Sequence, residues 1–150
     1  MMVVAILGLV MAMGVPSILA DLHEEPMRKA VNDVMEICGH ARAQAILSGQ
    51  TATVTFHPHE GTVDGSAPPG SVSTRNSGVP TTSSQIDGSV IIEMLDINLI
   101  EQKDSDVASV RFFPNGTSDE MTLVLHSGDQ WRKITLEVTT ALASVSTPTQ

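Results

Sequence analysis

The segment His57-Pro58-His59-Glu60 holds the side chains of this chain that are best suited to bind a metal ion. Two histidines two positions apart can share one ion when an extended backbone presents both rings on one side. A structural zinc site needs a full set of protein ligands, so Glu60 or His126 would have to complete it. Because Pro58 and the glycine after Glu60 favour a turn, we predict no metal site and no cofactor.

The other reactive residues also point away from catalysis. Cys38 is the only cysteine, which excludes an intramolecular disulfide, and its helical spacing indicates a small core residue. The segment 126–129, His-Ser-Gly-Asp, contains residue types of a serine hydrolase site but is typical of a hairpin turn. The sequence has no Gly-x-Ser-x-Gly elbow and no glycine-rich phosphate loop. Asp104 and Asp106 lack the spacing of a calcium-binding EF-hand. We therefore predict that the chain is not an enzyme.

The charge of the chain restricts its partners. The 150 residues are enough for one domain and an appendage, and they carry 17 acidic against 8 basic residues, a net charge of −9. Residues 1–20 contain no charged side chain, so the whole excess of acid lies in 21–150. An acidic surface repels a phosphate backbone, and one tryptophan without tyrosine gives few stacking surfaces. We predict no nucleic-acid partner.

Residues 1–20 form an uncharged apolar run that could cross a bilayer. In a helix about 20 residues match the ~30 Å hydrocarbon core. Pro16 predicts a kink or a local loss of helix near Ala12 and Met13. The residues that we assign to a membrane and assembly helix are Val3, Val4, Ile6, Leu7, Gly8, Leu9, Val10, Pro16, Ile18 and Leu19.

A cleaved secretory signal ending at Ala20 is the main alternative for this run. Such signals begin with a positive charge, whereas the first basic residue here is Arg28. Acidic residues follow the run without a basic cluster, so the positive-inside rule places residues 21 onward outside the cytoplasm.

The segment 26–48 has the spacing of an amphipathic helix. Pro26 suits the first turn and Gly49 suits the end of such a helix. The apolar residues that recur every three or four positions are Met27, Val31, Val34, Cys38, Ala41 and Ala45. A stripe of this kind normally packs against a sheet of the same domain.

Alternating apolar residues and turn signals predict strands at 51–56, 89–95, 109–113, 121–126 and 133–139. Residues 57–88 are rich in glycine, serine, proline and threonine, and we predict a flexible loop with at most a short strand near 62–64. The tail 146–150 is expected to be disordered. Strands without intervening helices predict an antiparallel sheet, hence an α+β head over 21–145 behind the helix 1–20.

Three segments of the sequence resemble a known family. VVAILGLVMAMGVPSI resembles the N-terminal helix of type IV pilins and type II secretion pseudopilins, with Gly8 and Pro16 at the family's positions. ARAQAILSGQTATVTF and FFPNGTSDEMTLVL resemble parts of H-type minor pseudopilins and the related fimbrial T-type pilins. The family's Phe-Thr-Leu-x-Glu processing motif does not occur, and we expect its glutamate to lie just before Met1, as in a truncated chain.

This resemblance implies a structural role in an assembly. It implies a single-pass inner-membrane helix that later packs among like helices of a short periplasmic filament, with the head in the periplasm and a processed, methylated N-terminus. The implied partners are other pseudopilins or pilins, with secreted cargo as a further candidate. The predicted function is that of a minor pseudopilin supporting protein secretion. A minor pilin of a type IV pilus and a membrane-anchored periplasmic ligand-binding module are the alternatives, with an anchored enzyme using the histidines behind them.

Overall fold

The structure is a computed structural model that describes residues 2–66 and 82–148, with side chains for 25–65 and 82–148. One helix, α1 (Met2–Ser48), precedes all the strands of these ranges. The strands are β1 (Ala52–His57), β2 (Thr62–Ser66), β3 (Ser83–Gln85), β4 (Ile91–Ile97), β5 (Ile100–Glu101), β6 (Ala108–Phe112), β7 (Met121–Ser127), β8 (Gln130–Leu136) and β9 (Ala143–Ser146).

The described part of α1 buries the predicted apolar stripe. Every member of that stripe is buried, and Ala30 and Ile37 widen it. Glu36 and His40 lie on the exposed face, where their side chains approach to 3.8 Å. The helix ends before Gly49, whose φ of +67° is the left-handed conformation that glycine adopts without strain.

The backbone of α1 is continuous from residues 2–20, which were predicted as the membrane helix, into the amphipathic segment 26–48. It stays helical through Pro16, so the predicted local loss of helix near Ala12 and Met13 does not occur in the described backbone. A proline removes one backbone hydrogen bond, and the bonds of the adjacent turns can hold the helix together.

The strands form two antiparallel sheets rather than the single sheet predicted. The four-stranded sheet has the order β3-β2-β1-β6 and the five-stranded sheet the order β5-β4-β7-β8-β9. Alternate residues of each strand face the core, as in β6, where Ala108, Val110 and Phe112 are buried. The same helix packs on both sheets: it contacts β1 and β2 of the four-stranded sheet and β7, β8 and β9 of the five-stranded sheet. Arg42 Nε also donates to the Thr140 carbonyl, beyond β8.

The five predicted strands correspond to β1, β4, β6, β7 and β8, with ends displaced by up to three residues. The largest displacement is in β8, predicted at 133–139 and observed at Gln130–Leu136. The strand stops at Leu136 because the chain turns back there, with Glu137 N donating to Leu142 O and Ala141 at a φ of +50°.

The prediction for 57–88 allowed a short strand near 62–64, which is β2, but it is wrong near its other end, where β3 (Ser83–Gln85) was not predicted. Within this range, β2 pairs with β1 and β3 pairs with β2. The polar composition concealed β3, and backbone hydrogen bonds and one buried side chain, Val63, hold β2 in place. Residues 67–81 of that prediction lie outside the described residues.

Two further features of the strands differ from the sequence prediction. The predicted tail begins inside β9, where Ser146 pairs with Lys133 of β8. Alternation of residue types cannot reveal such a strand, because only its partner β8 gives it order. The short strand β5 was also missed, since two residues are too few to show a period.

Replacing Gly39 by alanine is expected to stabilise the protein by up to about 1 kcal/mol, because glycine is the weaker helix former. A Cβ at this position meets nothing within 4 Å. The matched control is Gly49→Ala, which forces a side chain into the left-handed region and should destabilise. Thermal unfolding of the three proteins measures both effects. A lower melting temperature for Gly39→Ala would contradict the expectation.

Candidate functional site

The histidines of the 57–60 segment face different partners. His57 Nε2 lies 3.5 Å from Asp64 Oδ2, whereas His59 Nε2 lies 3.3 Å from the Asp104 carbonyl oxygen. The backbone between them turns, with Glu60 N donating to His57 O at 3.1 Å. Among the residues that the structure describes, no three His, Cys, Asp or Glu side chains are grouped so that they could hold a metal ion.

His126 closes the β7–β8 hairpin. Its Nε2 donates to the Gly128 carbonyl at 2.5 Å, and its ring stacks on Trp131 with the centroids 4.2 Å apart. The other ring nitrogen, Nδ1, lies 3.4 Å from Glu93 Oε1. These contacts give the His-Ser-Gly-Asp segment a structural role in the hairpin, as the turn interpretation expected.

Cys38 is a core residue of α1. Its side chain is buried against the sheets, and burial raises its pKa to about 12. The thiolate is the nucleophilic form of cysteine, so this side chain stays an unreactive thiol at neutral pH.

The main polar site of the described head is centred on Asp119, between β6 and β7. Its carboxylate accepts hydrogen bonds from Arg111 Nε at 2.9 Å, Arg111 Nη2 at 3.2 Å and the backbone N of Arg111 at 3.0 Å. Asn98 Nδ2 donates a further bond at 3.1 Å. Arg111 belongs to the four-stranded sheet and Asn98 to the β4–β5 turn of the other, so this network joins the two sheets.

The electrostatics of this network favour the charged pair. Burial tends to raise the pKa of Asp119, but the hydrogen bonds from Arg111 and Asn98 outweigh it, and the net pKa is lowered. The same contact raises the pKa of Arg111. The guanidinium also lies 5.7 Å from the centre of the Phe113 ring. Asp119 is therefore an ionised structural group whose carboxylate holds Arg111 and Asn98 in place.

Asn98 holds the β4–β5 turn against the rest of the head. Its backbone N donates to Glu120 O at 3.0 Å, and its Oδ1 accepts from Glu120 N at 3.1 Å. The turn has two residues, Asn98 and Leu99, with φ of 52° and 65°. Positive φ at both positions is the mark of a type I′ turn, in which glycine usually takes the second place.

Leucine occupies that second place here, and it projects into solvent. Leu99 is 83% exposed and the next residue, Ile100, is 61% exposed. Sequence reasoning missed this turn, although an asparagine between apolar strand residues is a hairpin signal, because the expected glycine is absent. The fold thus presents two apolar side chains on a firmly anchored turn.

The Leu99→Gly variant is expected to be more stable than the natural protein by about 0.5–1 kcal/mol. Glycine adopts a positive φ without the steric cost that a leucine Cβ adds, and little packing is lost at this exposed position. Urea unfolding followed by the fluorescence of Trp131 would measure the difference. Ile100→Gly, in strand β5, is the control and should destabilise instead.

Further exposed apolar side chains lie in two other places of the head. Ile46 and Leu47 are at the end of α1, and Val138 and Leu142 are between β8 and β9. Arg42 Nε donates to the Thr140 carbonyl at 2.8 Å, which ties the 138–142 segment to the helix.

Two clefts flank α1 where it enters the described head. One, of about 710 Å³, lies between residues 25–33 and the segment 85–88. The other, of about 470 Å³, lies between residues 25–32 and the side chains of Gln130 and Arg132. The helix is therefore open to neighbours on both sides at this end.

The predicted membrane and assembly residues, from Val3 to Leu19, lie outside the residues whose side chains are described. Within the residues whose side chains are described, 25–65 and 82–148, no helix is both long and apolar enough to cross a membrane.

One helix packed on antiparallel sheets, as in the described residues, is the arrangement of a pilin-like fold. The chain matches the family of the type II transport protein GspH over residues 30–141 and belongs to that family. This assignment bears out the resemblance to H-type pseudopilins seen in the sequence.

Solved structures show the same fold. The type IV minor pilin FimU of Pseudomonas aeruginosa strain PAO1 has 12% identity and a TM-score of 0.57, covering 82% of this chain and 90% of FimU. The minor pseudopilin EpsH from the Type 2 Secretion System of Vibrio cholerae has 13% identity and a TM-score of 0.51, covering 84% of this chain and 96% of EpsH. No curated protein gives a significant match.

Proposed function

We propose that this chain is a minor pseudopilin of a type II secretion system that assembles through residues 1–20 and supports protein secretion. In this proposal the apolar helix rests in the inner membrane before assembly, and the head lies in the periplasm. The observation that carries the proposal is the GspH family match over residues 30–141, most of the head. The uncharged run before it supports the membrane stage.

The physical properties of α1 suit such a role. A helix that is apolar on all sides can exchange lipid contacts for contacts with like helices at small hydrophobic cost. In this proposal the assembly segment and the helix of the head, which ends at Ser48, form one helix. The clefts beside residues 25–33 leave room for neighbouring subunits at the base of the head.

A minor pilin of a type IV pilus is the second candidate. FimU has the same fold as this chain, with a TM-score of 0.57. The two candidates predict different phenotypes: loss of secreted proteins for the secretion system and loss of surface pili for the pilus. A deletion strain in the native host, assayed for both, distinguishes them.

The assembly helix can be tested with Leu9→Arg in the full chain. A charge in the middle of the apolar run costs roughly 2.5–3.5 kcal/mol in membrane insertion. We expect the variant to be depleted at least tenfold from the inner-membrane fraction and to fail to restore secretion in the deletion strain. Leu47→Arg, at a position 87% exposed on the head, is the matched control and should remain in the membrane.

Mass spectrometry of the mature natural protein completes this test. We expect residues 1–20 to be retained and the protein to sediment with the membrane. A mature protein that begins at Asp21 and is found in the soluble periplasmic fraction would overturn the proposal.

A further inference from the structure

We propose that the β4–β5 turn docks onto a different protein, one that offers an apolar pocket rimmed by lysine or arginine. The surface is called the acidic tip here and consists of Asp96, Asn98, Leu99, Ile100, Glu101 and Glu120. This docking proposal goes beyond the proposed function, because it uses residues of the head alone and does not depend on which filament the chain joins.

The apolar part of the tip is exposed at a cost in backbone energy. Leu99 has a φ of 65°, a conformation that side chains with a Cβ disfavour, and it is 83% exposed. Single exposed leucines are common and mean little by themselves. A leucine held in a left-handed turn, beside the exposed Ile100, gains nothing from the fold in return. Strained residues of this kind cluster at sites of function.

The tip is also held in one position before any partner arrives. Three hydrogen bonds join Asn98 to Asp119 and Glu120, and Asp119 is itself held by Arg111. A turn anchored in this way loses little conformational entropy when it binds. The two apolar side chains therefore stand on a rigid support.

The charge around the tip selects the partner. Asp96 lies directly opposite Glu101 on β4 and β5, an arrangement of like charges that weakens a strand pair. From Glu93 to Glu120 the sequence has seven acidic and two basic residues. Both basic side chains are already paired, Lys103 with Glu93 at 3.5 Å and Arg111 with Asp119 at 2.9 Å.

A second copy of this chain would bring its own acidic surface, since the net charge is −9, and would be repelled. A basic rim on a different protein would relieve the repulsion between Asp96 and Glu101. The exposed leucine and isoleucine would at the same time leave water for an apolar pocket. Charge thus decides the orientation and the choice of partner, and Leu99 with Ile100 supplies the apolar contact.

The test places the photo-crosslinking residue p-benzoylphenylalanine at position 99 or 100 of the full chain in its native host. The control position is Ile91, an exposed isoleucine at the other end of β4. Mass spectrometry of the crosslinked peptide identifies the protein and the segment in contact. We expect one different protein whose contact segment contains lysine or arginine next to apolar residues.

Charge dependence is tested with the double variant Asp96→Asn, Glu101→Gln. It should reduce the crosslink at least tenfold, as should 0.5 M NaCl. Combining Asp96→Lys with a Lys→Glu change in the identified partner should restore it. A crosslink to a second copy, no crosslink above the Ile91 control, or one insensitive to charge would overturn the proposal.

The Leu99→Gly variant separates docking from folding. It should lose at least tenfold in affinity for the identified partner although its melting temperature rises. It should still reach the inner membrane, because the assembly helix is unchanged. A failure of this variant in membrane localisation would count against the separate role of the tip and would leave the proposed function standing.

Discussion

The Phe112→Ala variant is expected to lose roughly 3–5 kcal/mol of the free energy of unfolding. Phe112 is fully buried in β6, opposite Ala52 of β1, and Ser118 forms a bridge to it from the other side. Removal of the ring leaves a cavity that neighbours on rigid strands cannot fill. Because domains of this size are stable by only about 5–15 kcal/mol, the variant should unfold at a much lower urea concentration. Trp131 fluorescence in detergent solution would follow the transition.

The adjacent residue gives a matched control. Phe113 is only partly buried, and its ring faces the Arg111 guanidinium at 5.7 Å. Phe113→Ala should cost about 1 kcal/mol, from partial burial and the cation–π contact. Equal losses for the two variants would contradict the assignment of Phe112 to the core and Phe113 to the surface.

The Asp119→Ala variant is expected to lose about 2–3 kcal/mol. The Arg111 backbone N–H and the Asn98 amide would lose their acceptor, whereas the partly exposed guanidinium could turn to water. The loss should also loosen the β4–β5 turn. Hydrogen exchange at the backbone amides of Asn98 and Glu120 would show this as faster exchange.

The contribution of Asp119 should depend on pH in one direction. Its folded-state pKa is lowered from the ordinary 3.8, so the folded protein favours the carboxylate. The stabilisation is therefore fully present above about pH 5, well above the unfolded-state pKa, and is lost as the pH falls through the folded-state pKa. The stability difference between the natural protein and Asp119→Asn should be constant from pH 8 to about pH 5 and shrink below it. A difference that grows in acid would contradict this sign.

Much of the architecture could be predicted because burial imposes a period on the sequence. The stripe from Met27 to Ala45 predicted the buried face of α1, and alternation predicted β1 and β6. These signals arise within one element, so a single sequence contains them. The family resemblance added the class of protein, which the GspH match over residues 30–141 bears out.

The parts that escaped prediction depend on partners distant in the sequence. Asn98 and Asp119 are 21 positions apart, and no local pattern reveals that their side chains meet. Strand β9 exists because β8 lies beside it. At Leu99 the tertiary structure overrides local preference, because a positive φ is imposed on a residue type that avoids it. The separation into two sheets also depends on strand pairs that are distant in the sequence, such as β1 with β6.

The position of α1 against both sheets has a mechanical consequence. The helix contacts strands of both sheets, and its buried side chains continue from Met27 to Ala45. A pull along the helix axis would load these contacts together, in shear, instead of peeling them apart one after another. The packed part of α1 should therefore resist axial tension that would readily detach a helix bound at one end.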